Sequence, residues 1–112
     1  MTERDLNFIK NMLMFAKRVD GRIATISLQQ FTDDIDKQDL ILYPLGQLGE
    51  NASGVSEEVR EKYCEILWNP IIGIRNRIFH SYESIDMGVV YRAAAENIPA
   101  LVKQLECILK QL

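Results

Sequence analysis

Residues 6–23 read LNFIKNMLMFAKRVDGRI, and the apolar side chains of this stretch recur at helical spacing, not at strand spacing. They form two neighbouring stripes along one helix: Leu6, Ile9, Leu13, Ala16 and Ile23 in the first, and Phe8, Met12, Phe15 and Val19 in the second. An apolar arc this wide predicts a helix covered on two sides, by its own bundle and, as an open alternative, by a partner chain. Asp20 and Gly21 predict a weakening or an end of this helix.

The remainder of the chain repeats the helical pattern. Several positions carry signals for the start of a further helix. These signals are capping residues, acidic first turns or an early proline, and they occur at Ser27, Asp33–Asp36, Ser56, Asn69–Pro70 and Asp86. Pro44 falls inside one apolar pattern, where a kink is expected. Gly46 and Gly49 would let another backbone approach closely.

Breaks in the pattern set the expected helix count. Residues 51–54 are predicted to form a loop, the helix that carries Ile71 to Phe79 should end within residues 81–86, and Pro99 should interrupt the last apolar run. No strand alternation, glycine-rich phosphate loop or repeat is present. The sequence therefore predicts an all-α, up-and-down bundle of four to five helices in one domain spanning residues 1–112.

Composition narrows the function classes. The chain has 112 residues and a formal net charge of −3, which argues against nucleic-acid binding driven by bulk charge. It has no apolar run long enough to cross a bilayer, and its first residues do not resemble a secretory signal, so a cytoplasmic protein without membrane contact is expected. Cys64 and Cys107 are expected to be buried free thiols. His80 is the only histidine, so a mechanism that needs two imidazoles requires two copies of the chain.

Residues 73–82 read GIRNRIFHSY and place polar groups on an otherwise apolar helix. Asn76 and His80 lie one turn apart on one face, whereas the Cβ directions of Arg75 and His80 differ by roughly 140° on an ideal helix. Two copies related by a two-fold axis would bring both side chains into one cleft more easily. The alternative interpretation is structural: surface cations paired with carboxylates, a histidine at a helix C-terminus and a half-buried Tyr82.

Arg75-x4-His80-x-Tyr82, with Asn76 after the arginine, resembles the signature of the HepT family, a branch of the HEPN superfamily of small helical ribonuclease-like domains. The resemblance extends over nearly the whole chain. It includes Leu48-Gly49-Glu50, Trp68 followed by Gly73-Ile74-Arg75-Asn76, Ile85-Asp86, Val89-Val90-Tyr91 and Ile98-Pro99-Ala100-Leu101. Asn69-Pro70 departs from it, because relatives are usually more polar there.

The resemblance implies a homodimeric toxin of a two-gene toxin–antitoxin module, paired with a minimal nucleotidyltransferase antitoxin. It implies metal-independent cleavage of RNA, with tRNA a plausible target, at the dimer cleft, and silencing by adenylylation of Tyr82. Arg75 and His80 would be catalytic, as phosphate-charge stabiliser and proton-transfer group, and Asn76 would orient His80 or bind a phosphate oxygen. No metal or cofactor is expected. Two alternatives stay open: a non-catalytic module that binds the nucleotidyltransferase or a nucleotide, and a purely structural dimerising bundle.

Overall fold

The computed structural model describes residues 1–112 and contains seven α-helices and no strand. The helices are α1 (Glu3–Ile23), α2 (Leu28–Asp33), α3 (Ile35–Gly54), α4 (Glu57–Lys62), α5 (Trp68–His80), α6 (Met87–Glu96) and α7 (Ile98–Lys110), with a 3₁₀ turn at Tyr82–Ser84. The all-α class is confirmed. The count exceeds the expected four to five because α2 is separate from α3 and because Asn97 separates α6 from α7. None of the seven has the length and apolar character that a membrane span requires.

Most helix starts lie where the sequence predicts them. The Ser27 hydroxyl accepts from the Gln30 N–H and the Gln30 side chain accepts from the Ser27 N–H, which completes a capping box. Asp34, Ser56 and Asp86 cap α3, α4 and α6 through their side-chain oxygens. These caps satisfy backbone N–H groups that have no partner within the helix.

Three predicted boundaries are wrong. Helix α1 continues through Asp20 and Gly21 to Ile23, because burial of Val19 and Ile23 outweighs the weak helix preference of glycine. Residues 51–54 belong to α3 and not to a loop, since Ala52 is fully buried and Val55 closes the helix. Helix α5 starts at Trp68, with Leu67 as its N-cap and no side-chain cap, so Asn69 does not cap it. Buried Trp68, whose Nε1 donates to the Tyr63 carbonyl at 3.1 Å, anchors this start instead.

Helix α1 is the centre of the bundle. It packs against α3, α6 and α7, which accounts for cover of its apolar arc by its own bundle. The core is a single cluster of 24 buried apolar residues, in which Ile9, Met12, Phe31, Leu48 and Leu105 are fully enclosed.

Both cysteines are exposed, so the prediction that they are buried is wrong. Cys107 lies between Leu105 and Ile108, which are buried, but the helical rotation turns the Cys107 side chain outward. Apolar neighbours in the sequence therefore do not show that Cys107 lies on the buried face of α7.

Asp5 is a buried carboxylate near the start of α1. Its two oxygens accept hydrogen bonds from the Ser56 N–H and the Ser56 hydroxyl, both at 2.8 Å, and so tie α1 to the start of α4. Burial disfavours the charged form, but the hydrogen bonds from Ser56 and Thr2 outweigh it. The pKa of Asp5 therefore lies below its ordinary value.

Helix α5 lies at the edge of the bundle. Its main packing partner is α3, and a cavity of about 320 Å³ separates it from α6. Trp68 is the only residue of α5 that is buried. The helix that carries the polar motif is thus held on one side and exposed on the other.

Candidate active site

Two glycines of α3 determine how closely α5 approaches. A side chain at Gly49 would collide with Arg75 Cβ and would place its Cβ 2.8 Å from the Ile71 carbonyl oxygen. A Cβ at Gly46 would lie 3.1 Å from the Phe79 ring. The predicted close approach is confirmed, and it brings Arg75 down onto the backbone of α3.

Arg75 is fixed by three neighbours. Its Nε donates to Glu50 Oε2 at 2.8 Å, its Nη1 donates to Asn76 Oδ1, and its guanidinium carbon lies 5.6 Å from the centre of the Phe79 ring. The remaining N–H donors of the guanidinium make no bond within the protein. Because the side chain is 22% exposed, these donors can reach a ligand in solvent.

His80 is the last residue of α5 and is exposed. Its imidazole forms no hydrogen bond or ion pair with the protein, so neither ring nitrogen is engaged within the protomer. Arg75 and His80 make no hydrogen bond to each other within one chain, in keeping with their different directions on the helix.

Asn76 bonds to Arg75 and not to His80. Of the two roles considered for Asn76, orientation of His80 has no support within the protomer. The contact shows instead that Asn76 helps to hold the guanidinium of Arg75 in place through Nη1.

Tyr82 lies in the 3₁₀ turn after α5 and is 45% exposed. Its hydroxyl has no hydrogen-bond partner within the protein. Tyr82 and Phe79 line the same surface cavity, and Phe79 in turn contacts Arg75. The exposed Tyr82 therefore shares a surface cavity with the ring on which Arg75 lies.

Glu50 belongs to this site although no role was assigned to it from the sequence. The Leu48-Gly49-Glu50 stretch carries the signal, since a glycine next to a carboxylate can bring a helix close to a cation. The partner of that carboxylate lies on another helix, however, and cannot be identified from local sequence. The structure contains no group of three or more His, Cys, Asp or Glu side chains placed to hold a metal ion.

Comparison with known proteins gives consistent matches over nearly the whole chain. The family model described as "Ribonuclease HepT-like" matches residues 12–108. "Putative RNase TTE0752" of Caldanaerobacter subterraneus is 25% identical over 104 residues, which is 93% of each chain. "Putative RNase MJ1380" of Methanocaldococcus jannaschii is 25% identical over 96% of this chain and 100% of its own. "Probable ribonuclease HepT" of Thermococcus cleftensis is 25% identical over 93% of this chain and 94% of its own. No solved structure matches the chain.

Proposed function

Because the chain belongs to the HepT-like ribonuclease family, we propose that it is a metal-independent endoribonuclease and the toxin of a two-gene toxin–antitoxin module. Its substrate in this proposal is RNA, with tRNA as the natural target. The observation that carries the proposal is that Arg75 is rigidly held with free N–H donors, while His80, on the same helix, is exposed and unbonded.

These two side chains match what RNA cleavage without a metal requires. The 2′-hydroxyl of the RNA attacks the adjacent phosphorus, and the bond to the 5′-oxygen of the next nucleotide breaks, leaving a cyclic phosphate. A base must take the proton of the 2′-hydroxyl, an acid must protonate the leaving oxygen, and a cation must stabilise the charge on the phosphorus centre. Imidazole performs the proton transfers, and the planar guanidinium of Arg75 matches two phosphate oxygens.

One chain supplies only one imidazole, which favours a homodimer. The outward face of α5 carries Gly73, Asn76, Arg77 and His80 at helical spacing, and nothing in the protomer lies within 4 Å of a Cβ built at Gly73. Two copies of α5 packed across a two-fold axis through this face would place two His80 and two Arg75 in one cleft.

Silencing by a minimal nucleotidyltransferase antitoxin would act through Tyr82. The proposed adenylylation joins the tyrosine oxygen to the α-phosphorus of ATP and releases pyrophosphate. The product carries a negative charge and a nucleoside beside Phe79 and Arg75, where it would repel and exclude an RNA backbone. The exposed, unbonded hydroxyl of Tyr82 supports this role.

One observation favours the non-catalytic alternative, a module that binds the nucleotidyltransferase or a nucleotide. Glu50 neutralises part of the charge of Arg75, as expected for an arginine with a structural ion pair. Under that alternative, the same face would bind its partner and no RNA would be cut.

The deciding experiment uses purified, unmodified protein and end-labelled tRNA with a metal chelator present. We expect cleavage with 2′,3′-cyclic phosphate ends, and a loss of at least about a hundredfold in rate for Arg75→Ala and for His80→Ala. Arg92→Ala removes an exposed arginine on α6 and serves as the matched control, which should keep the full rate. Absence of cleavage by the wild-type protein, with antitoxin binding retained, would establish the non-catalytic module.

A further inference from the structure

A cavity of about 240 Å³ opens on the surface between α3 and the end of α5. One wall is a stripe of α3 formed by Asp39, Tyr43 and Gln47, which are spaced one turn apart. The opposite wall is formed by Phe79 and Tyr82. The proposed cleavage chemistry makes no use of this cavity.

Three aromatic rings around this cavity are left in solvent. Tyr43 is 60% exposed, Phe79 47% and Tyr82 45%, whereas Phe31 and Trp68 are buried in the core. The Phe79 ring is held in place because it packs against the backbone of α3 at Gly46, which has no side chain. A cluster of exposed aromatic rings is typical of surfaces that stack nucleobases.

The cavity adjoins the phosphate-binding cation of the proposed reaction. Arg75 lies over the Phe79 ring at 5.6 Å, and the same ring lines the cavity. A ligand that spans both features must carry an anionic group next to a flat, stackable group. A nucleotide within an RNA strand has this form.

The charges of the lining favour a base over a phosphate. Among its lining residues the cavity has one carboxylate, Asp39, and one amide, Gln47, but no cation. Neither side chain forms a hydrogen bond or ion pair with the rest of the protein. Asp39 would repel a phosphate group and would accept a hydrogen bond from the exocyclic amine of adenine, cytosine or guanine.

We propose that this cavity is a base-binding subsite, which holds one unpaired, amine-bearing nucleobase of the RNA next to the phosphate bound by Arg75. The inference rests on the proposed ribonuclease function and adds to it a substrate class: RNA whose cleavage site lies in a loop or another single-stranded segment. A paired base keeps its stacking neighbours in the helix and is not available to stack on a protein ring.

The test measures binding of short, fluorescent RNA oligomers made uncleavable by 2′-O-methyl groups. Each position is replaced in turn by an abasic nucleotide. For the wild-type protein, one position should stand out with a loss of about tenfold in affinity. Tyr43→Ala should remove the preference at that position and leave affinity for the abasic oligomer unchanged, while Tyr43→Phe should retain the preference.

Leu40→Ala is the matched control, since Leu40 is a similarly exposed apolar residue of α3 outside the cavity. It should bind like the wild type. Asp39→Asn should weaken the discrimination of adenine, cytosine and guanine from uracil at the same position.

Three results would overturn the inference. Equal loss of affinity by Tyr43→Ala for intact and abasic oligomers would show that no base occupies the cavity. A shift of Tyr43→Ala from dimer to monomer in sedimentation would assign this face to a second copy of the chain. Cleavage by the wild-type protein without any base effect would refute the subsite alone, whereas base-selective binding without cleavage would refute the ribonuclease proposal alone.

Discussion

Arg75 Nε lies 2.8 Å from Glu50 Oε2, and the two residues are 25 positions apart in the chain. The pair joins α5 to α3 at the point where Gly49 allows the two helices to approach closely. Because the side chain of Glu50 is 48% exposed, an ion pair of this kind contributes only about 0–1 kcal/mol to folding. Its main effect is geometric, since it fixes the direction of the free guanidinium donors.

Glu50→Ala should lower kcat for RNA about tenfold, equivalent to about 1.4 kcal/mol of transition-state stabilisation, because Arg75 loses its orientation. KM should equal that of the wild type or fall, because the substitution removes a negative charge that repels the RNA backbone. Glu50→Gln keeps an acceptor for Nε and should retain most of the activity. Steady-state kinetics on a labelled oligomer measures both constants, and a lower melting temperature with unchanged kcat would contradict the positioning role.

Gly49→Ala should destabilise the fold by about 1–3 kcal/mol, because the added methyl group collides with Arg75 and the Ile71 carbonyl and pushes α5 away from α3. Gly21→Ala is the matched control. It changes a glycine within α1 that has nothing within 4 Å of an added Cβ, and it should raise stability by up to about 1 kcal/mol. Urea unfolding of the two variants measures both effects. Equal stability of Gly49→Ala and the wild type would show that α5 can shift freely.

Local features of the fold could be predicted from sequence, and long-range ones could not. The caps at Ser27, Ser56 and Asp86 involve partners within three or four residues, so their patterns are visible in the chain. The same holds for the helix that carries Arg75 and His80. The pairing of Arg75 with Glu50 depends on how α3 and α5 pack, and no local pattern contains that information.

The predictions for the cysteines and for residues 51–54 are wrong for a related reason. Apolar neighbours suggested burial of Cys107, although a rotation of 100° per residue separates neighbouring side chains. Asparagine, serine and glycine at 51, 53 and 54 favour a loop, but Ala52 and Val55 gain enough from burial to keep the segment helical. In both cases tertiary packing outweighs composition.

Acid should weaken the fold through Asp5. Its pKa is lower in the folded than in the unfolded chain, so its contribution to stability is complete above the unfolded value, about 3.9, and is lost as the pH falls towards the folded value. Asp5→Asn should reduce the free energy of unfolding at pH 7 by about 1–3 kcal/mol and should flatten its decline below pH 4. Thermal melts from pH 7 to pH 2 measure this effect.

The control for Asp5 is Glu61→Gln, which removes an exposed carboxylate that forms no ion pair or hydrogen bond. Its melting curve should follow that of the wild type at every pH. If Asp5→Asn shows the same pH dependence as the wild type, then other carboxylates are responsible for the acid sensitivity.

The outward face of α5 gives the last prediction, which concerns the proposed homodimer. Gly73→Leu adds a side chain at a helical position with nothing within 4 Å, so the protomer should fold with unchanged or slightly higher stability. Across a two-fold axis the same side chain would collide with the second α5. Sedimentation should therefore show monomers, and ribonuclease activity should fall with the dimer fraction. Gly21→Leu changes a glycine on α1 whose added Cβ would likewise meet nothing within 4 Å, and it should leave both properties unchanged. A fully active dimer of Gly73→Leu would mean that the two copies meet through another face, and that His80 and Arg75 do not share a cleft built on α5.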